Sequence, residues 1–154
     1  MRLALYQPDI PQNTGTMLRM AACLGVGVDL ILPAGFDASD RAFKRSGLDY
    51  LQHVEIARHE SWETFAAWLA ADGTRRLVLL TTQASGSYLD FRFAPEDVLL
   101  VGRESAGVPD AVHARADARI TVPMRPGLRS LNVAVAAAMV LGEGLRQANQ
   151  SVQV

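Results

Sequence analysis

The stretch RRLVLLTT, residues 75–82, decides the fold class of this chain. Its centre, LVLL, is a continuous apolar run, without the alternation of apolar and polar residues that is typical of a strand with one wet face. A strand that is apolar on both faces is typical of a parallel sheet covered by helices on both sides. Two other stretches share this character, LALY at 3–6 and EDVLLVG at 96–102.

The rest of the chain alternates strands with helices around these runs. Further strands are predicted at 26–33 and 118–124, with HVEIA at 53–57 as an edge strand. Helices are predicted where apolar residues recur at helical spacing. They are a first helix capped by Asn13 or Thr14 and stopped at Gly25, a short one within 34–50, one that opens with Ser61 and Thr64 and stops at Gly73, and one at 133–145. Residues 108–117 are predicted as a short helix or a loop. The sequence therefore predicts one α/β domain over residues 1–154, with a mostly parallel sheet and helices on both faces.

The composition excludes several classes of protein. The chain has 154 residues, is 49% hydrophobic and carries a formal net charge of −1, which favours a globular domain with no global attraction to nucleic acid. The single cysteine, Cys23, excludes an internal disulfide. No apolar run reaches the length of a signal peptide or a membrane span, so we expect a cytoplasmic protein with no membrane association.

Polar residues follow four of the predicted strands. They lie in QPDIPQNTGTMLR at 7–19, TTQASG at 81–86, GRESAGVP at 102–109 and PMRPGLRSLN at 123–132. Ligands of open parallel sheets bind beyond the carboxyl ends of the strands, so these loops predict a site. The chain lacks the glycine-rich dinucleotide and P-loop motifs, the zinc-protease motif and the nucleophile elbow, and its histidines have no metal spacing. No metal is predicted.

Two charged residues of these loops are candidates for chemistry. Arg19 stands in MLRMAACLG among residues typical of a core, where an arginine needs an anionic partner, and an exposed helix arginine is the alternative. We expect Arg19 and Asn13 to face one cavity. Glu104 has two interpretations, the cap of a helix N-terminus or a functional carboxylate.

Three stretches resemble a known family. PDIPQNTGTMLRMAA at 8–22, VGRESAGVP at 101–109 and VPMRPGLRSLNVAVAAAMVLGE at 122–143 resemble the three successive motifs of the SPOUT methyltransferases. The likeness is greatest to the short bacterial tRNA 2'-O-methyltransferases that act on the anticodon wobble nucleotide. It covers nearly the whole chain, including FDASDRAFKRSGLDY at 36–50.

This resemblance implies a fold, a cofactor and an assembly. The C-terminal part of the sheet would be threaded into a deep trefoil knot, and the enzyme would be a homodimer. The methyl donor would be S-adenosylmethionine, bound in the knot and released as S-adenosylhomocysteine. By position, its contacts would be Leu80, Thr81, Gly102, Glu104, Val122, Met124, Ser130 and Leu131. The catalytic arginine would be Arg19, and the other motif positions would be Asn13, Glu104, Ser130 and Asn132.

The resemblance also implies a substrate. The expected reaction is methylation of the ribose 2'-hydroxyl of C or modified U at the tRNA wobble position, in leucine isoacceptors. The expected RNA contacts are Arg41, Lys44, Arg45, Arg125 and Arg129, with a solvated helix face as the alternative for the first three. Arg19 would act either as a base activated by a neighbouring phosphate or as a clamp on that phosphate.

Two positions depart from the family pattern. Gly142 stands where an aromatic residue is common, and Arg103 stands where proline is common. Three other functions remain open on the sequence. They are a non-catalytic RNA-binding protein with the same fold, a related 2'-O-methyltransferase acting at another RNA position, and a flavodoxin-like enzyme acting on a small molecule.

Overall fold

The computed structural model of the chain describes residues 1–45 and 49–148, and within them six strands form one sheet. All five pairings between neighbouring strands are parallel, in the order β3-β2-β1-β5-β4-β6. The strands are β1 Arg2–Tyr6, β2 Gly27–Ile31, β3 Ile56–His59, β4 Leu77–Leu80, β5 Val98–Val101 and β6 Ala118–Ile120. The predicted parallel sheet is confirmed, with β3 at its edge.

Five α-helices and one 3-10 helix lie among the described residues. They are α1 Pro11–Leu24, α2 Asp40–Arg45, the 3-10 helix Asp49–His53, α3 Trp62–Asp72, α4 Asp110–Arg115 and α5 Val133–Gln147. Within this part of the chain, no helix combines the length and the apolar character needed to cross a lipid bilayer.

The sheet is covered on both faces, which explains the continuous apolar strands. Val78 of β4 points into one core, together with α1 and α5, while its neighbours Leu77 and Leu79 point into a second core with α3 and α4. Successive side chains of a strand point to opposite faces, so a strand between two cores must be apolar at every position. The predicted placement of helices on both faces is confirmed.

One buried polar cluster joins the first three strands. Asp29 of β2 is fully buried and accepts hydrogen bonds from Arg2 Nε at 2.7 Å and from His59 Nε2 at 2.9 Å. Arg2 belongs to β1 and His59 to β3. The two partners offset the cost of burying the Asp29 carboxylate, because a buried charge is tolerated only when it is paired and hydrogen-bonded.

The start of α1 differs from the prediction. The helix begins at Pro11 with Ile10 as its N-cap, and no side chain caps it. Proline favours the first helical position because its φ is already fixed and it has no N–H to leave unsatisfied. The prediction that Asn13 or Thr14 caps the helix is therefore wrong, and Asn13 is available for another partner.

The predicted helix ends are confirmed at two glycines. Gly25 ends α1 with φ of 66°, and Gly73 ends α3 with φ of 71°, a conformation that favours glycine. Ser61 and Thr64 open α3 as a reciprocal pair, in which each side chain accepts the other's backbone N–H.

Candidate active site

A cavity of about 570 Å³ lies beyond the carboxyl ends of β4, β5 and β6. Its walls come from the end of β4, the loop after β5 and the segment between β6 and α5. This volume is typical of sites for small organic ligands. The lining includes every position expected to contact a methyl donor, namely Leu80, Thr81, Gly102, Glu104, Val122, Met124, Ser130 and Leu131.

The loop after β5 is closed on itself by its backbone. Arg103 N donates to Gly107 O and Gly107 N donates to Arg103 O, both at 2.9 Å. A Cβ atom on Gly102 would lie 2.7 Å from the carbonyl carbon of Gly107, and Gly107 has φ of 64°. Only glycine fits these two positions without moving the loop. The closure presents residues 104–106 at the tip of the loop, on the cavity wall.

Glu104 is fixed by the segment that leads into α1. Asp9 N donates to Glu104 Oε2 at 3.1 Å, and Glu104 N donates to Asp9 Oδ1 at 3.1 Å. The Ser105 hydroxyl also donates to the Asp9 carboxylate. The pKa of Asp9 is lowered to about 2, first by the Glu104 side chain and further by the Ser105 hydroxyl, the Glu104 amide and the Arg103 guanidinium. Asp9 is therefore ionised at neutral pH and clamps the loop.

Asn13 of α1 connects two of the segments that build the cavity, the loop after β5 and the segment before α5. Its Nδ2 donates to Glu104 Oε1 at 3.3 Å, and its Oδ1 accepts from Asn132 Nδ2 at 2.9 Å. Asn132 Oδ1 in turn accepts from Ala134 N at 2.9 Å and Val135 N at 3.3 Å, and so caps α5. Both asparagines use their donor and their acceptor, so the chain of hydrogen bonds allows one arrangement of the loops.

The segment before α5 carries the remaining predicted residues of the cavity. Ser130 and Arg129 are exposed and line the cavity, whereas Arg125 is exposed outside the lining. Gly127, which lies between Arg125 and Arg129, has φ of 88°, a backbone conformation that favours glycine.

Arg19 does not line the cavity of its own chain, so the prediction that Arg19 and Asn13 face one cavity is wrong within one chain. A helix turns by about 100° per residue, so six residues separate the two side chains by roughly 120° around α1. Arg19 is exposed, because its apolar neighbours Met17 and Leu18 point into the core instead. The expected anionic partner is absent from the described part of the chain.

Arg19 instead contacts an aromatic residue of the 3-10 helix. Its Nη2 donates to the hydroxyl of Tyr50 at 3.3 Å, and its guanidinium carbon lies 4.6 Å from the centre of the Tyr50 ring. Tyr50 was not among the predicted site residues, because a single tyrosine after a basic segment carries no spacing signal. Asp9 was also missed, although it lies inside the first resembling motif.

The predicted RNA contacts lie on two segments. Arg41 and Lys44 are exposed on α2, and Arg125 and Arg129 are exposed before α5. Arg45 is the last residue of α2, and its side chain lies outside what the structure describes. Within the described residues, no three His, Cys, Asp or Glu side chains come together as a set of metal ligands.

Comparison with known sequences places this arrangement in context. The profile of the SpoU rRNA methylase family matches residues 1–142. A tRNA (cytidine(34)-2'-O)-methyltransferase of Beijerinckia indica is 64% identical over 152 residues, which cover 99% of this chain and 94% of the relative. A protein of the same name from Ancylobacter novellus is 56% identical over 145 residues, which cover 94% of this chain and 91% of the relative.

Solved structures give the same picture of the fold. A structure reported for the 2'-OH methylation of C/U34 on tRNA superposes with a TM-score of 0.86 at 41% identity, covering 95% of this chain and 94% of its own. The SpoU methyltransferase AviRb from Streptomyces viridochromogenes, solved in complex with the cofactor AdoMet, has a TM-score of 0.86 at 29% identity. That match covers 96% of this chain and 60% of AviRb. The fold is therefore shared with RNA methyltransferases.

Proposed function

Because this chain belongs to the SpoU rRNA methylase family, we propose that it methylates the ribose 2'-hydroxyl of nucleotide 34, the wobble nucleotide of tRNA, with S-adenosylmethionine as the methyl donor. The observation that carries the proposal is the cavity at the carboxyl edge of the sheet. It gathers all eight expected donor-binding positions from three separate segments of the chain. The names of the relatives support the choice of substrate.

The cavity fits this cofactor in size and in chemistry. Its volume of about 570 Å³ suits a nucleoside with an amino-acid tail. Leu80, Val122, Met124 and Leu131 supply apolar wall, while Thr81 and Ser130 supply hydroxyl groups. Gly102 has no room for a side chain, so backbone rather than side-chain atoms face a ligand at this point.

When bound, S-adenosylmethionine supplies a methyl group already activated by its sulfonium. The residues of this chain then have two tasks, to align the attacking 2'-hydroxyl and to assist the loss of its proton. The hydrogen-bonded chain Glu104–Asn13–Asn132 fixes the loops against one another. This chain of hydrogen bonds is suited to aligning the 2'-hydroxyl, because alignment requires a rigid frame.

Arg19 is the candidate for the second task. An arginine guanidinium stays protonated in proteins and is a poor base unless a phosphate assists it. As a clamp on the phosphate next to the reacting ribose, Arg19 would hold the nucleotide and keep its own proton. The 2'-oxygen would then form its bond to the methyl group as the S–CH3 bond breaks, and the hydroxyl proton would pass to solvent water. We favour this clamp role, with the phosphate-assisted base as the alternative.

A second copy of the chain is part of the proposal. Arg19 lies off the cavity of its own chain, and in the proposed homodimer another copy presents Arg19 to the cavity. On α5, Val135 is 51% exposed and Met139 is 41% exposed, one turn apart on one face of the helix. Gly142 lies on the same face with open space around it. An exposed apolar face of this kind suits burial in a homodimer.

The trefoil knot also belongs to the proposal. Thr81 N donates to Ile120 O, and Tyr88 N donates to Thr121 O, so the segment after β4 lies along the segment that leads to α5. A chain threaded at this edge of the sheet would require these two distant loops to lie side by side. The expected location in the cell is the cytoplasm.

The test is methyl transfer followed by mapping. The purified protein is incubated with tritiated S-adenosylmethionine and bulk tRNA from a strain that lacks the gene, and labelled nucleotides are mapped. We expect label as 2'-O-methyl at nucleotide 34, with leucine isoacceptors as the expected substrates. Label at another position would contradict the substrate assignment, and absence of label with retained tRNA binding would indicate a non-catalytic RNA-binding protein.

A further inference from the structure

The side chain of Arg19 is held by an aromatic platform rather than by a carboxylate. Its guanidinium carbon lies 4.6 Å from the Tyr50 ring centre, and its Nη2 donates to the Tyr50 hydroxyl at 3.3 Å. In the described part of the chain, Arg19 takes part in no ion pair. Tyr50 therefore provides the contacts that orient this guanidinium.

An aromatic partner has a consequence that an acidic partner would not have. A carboxylate would offset the positive charge of Arg19 and occupy the N–H groups that an incoming phosphate needs. A tyrosine ring attracts the cation through its face and leaves its charge and most of its five N–H donors available. Stacking also reduces the rotamer freedom that a long exposed arginine would lose on binding RNA.

The platform itself is attached to the core. The 3-10 helix Asp49–His53 packs against α1, the helix that carries Arg19. Leu51 and Val54, which follow Tyr50, pack against the same apolar core as α1. The same 3-10 helix also packs against α2, on which Arg41 and Lys44 are exposed. The packing of its 3-10 helix fixes the backbone of Tyr50. Its side chain is 38% exposed and therefore meets solvent.

We propose that Tyr50 is a positioning residue, which orients the Arg19 guanidinium for an RNA phosphate. The inference rests on the proposed function, since it assigns Arg19 to the RNA. Tyr50 acts through Arg19 and not on the reacting atoms. Loss of the ring therefore impairs the use of tRNA and leaves the donor site unchanged.

The test compares two substitutions at Tyr50 with one on the same short helix. Tyr50→Leu removes both contacts, Tyr50→Phe retains the ring, and Gln52→Ala is the matched exposed control. We expect Tyr50→Leu to lower kcat/KM for tRNA about 10-fold, because both orientation and a cation–π contact are lost. We expect Tyr50→Phe to stay within about 3-fold of the wild type, because the stack remains. Gln52→Ala should match the wild type.

Two further measurements separate positioning from a structural role. The affinity for S-adenosylhomocysteine and the Tm should be unchanged in all three variants. In a double-mutant cycle on tRNA affinity, Tyr50→Leu should weaken binding in the wild-type background and change it by less than about 2-fold in the Arg19→Ala background.

The outcomes distinguish this inference from the proposed function. If the wild type is active and Tyr50→Leu is equally active, the role of Tyr50 is overturned and the proposed function stands. The same holds if Tyr50→Leu weakens tRNA binding equally with and without Arg19. A wild type that transfers no methyl group to tRNA would overturn the proposed function and this inference together.

Discussion

Asn132 donates to Asn13 across 119 positions of sequence, at 2.9 Å between Nδ2 and Oδ1. The same Asn132 side chain caps α5 through its Oδ1, and the same Asn13 side chain donates to Glu104. The two side-chain hydrogen bonds of Asn13 therefore join the start of α1, the loop after β5 and the start of α5. These two asparagines hold the shape of the cavity, and their two functions can be separated by substitution.

Asn132→Asp separates the cap from the link to Asn13. An aspartate keeps the oxygen that caps α5 and places a favourable negative charge near the helix N-terminus, but it cannot donate to Asn13. We expect the free energy of unfolding to stay within about 1 kcal/mol of the wild type. We expect kcat/KM for methyl transfer to fall about 10-fold or more, because Asn13 Oδ1 loses its donor.

Asn132→Ala is the matched control, since it removes the cap and the link together. It should lose about 1 kcal/mol of stability in addition to the activity. Urea unfolding and steady-state methyl transfer are the measurements. Full activity of Asn132→Asp would show that the link to Asn13 is unnecessary.

Gly102→Ala tests the closed loop after β5. The added Cβ would lie 2.7 Å from the carbonyl carbon of Gly107, so the loop must shift. Since overpacking of this kind costs about 1–3 kcal/mol, we expect the Kd for S-adenosylhomocysteine to rise about 10-fold by calorimetry. Gly86→Ala is the control, because its Cβ would meet its nearest atom at 3.8 Å. Equal affinities of the two variants would argue against donor binding at this loop.

Asp29→Ala tests the buried cluster between the first three strands. The substitution leaves Arg2 and the buried His59 without their shared carboxylate, which should cost about 3 kcal/mol or more in urea unfolding at fixed protein concentration. Asp40→Ala removes the partner of Arg58 on the surface and should cost less than about 1 kcal/mol. Similar losses in the two variants would contradict a stabilising role for the cluster.

Much of this fold follows from local sequence. LVLL at 77–80 is apolar at every position because it lies between two cores, and this signal depends on no distant residue. Gly25 and Gly73 end their helices because their backbone conformations favour glycine. The loops of the site were also predictable, since polar residues follow each of the strands whose ends build the cavity.

The contacts within the site were less predictable. Asn13 looked like a helix cap because capping is the common role of asparagine near a helix start, whereas Pro11 had already fixed that start. Its true partners, Glu104 and Asn132, are 91 and 119 positions away, and local sequence carries no signal for such pairs. The orientation of Arg19 could have been predicted correctly, because helical geometry alone places its side chain about 120° around α1 from that of Asn13.

A mixing experiment tests whether Arg19 serves the cavity of a second copy. Arg19→Ala should abolish methyl transfer and still bind S-adenosylhomocysteine, while Gly102→Val should lose the donor site and retain Arg19. Co-refolding the two inactive variants gives mixed dimers in about half of the pairings, and each mixed dimer has one intact cavity facing one intact Arg19. With random pairing we expect about a quarter of the wild-type activity. Activity no higher than that of the separate variants would indicate that Arg19 does not act across a dimer.

Methylation of the 2'-hydroxyl of nucleotide 34 can be tested by removing that one oxygen atom from the substrate. One tRNA is assembled from synthetic fragments with ribose throughout, and a second is identical except for a 2'-deoxynucleotide at position 34. Tritium transfer from S-adenosylmethionine is then measured for both. We expect labelling of the first tRNA and none of the second, because the accepting hydroxyl is missing. Equal labelling of the two would contradict methylation of this hydroxyl.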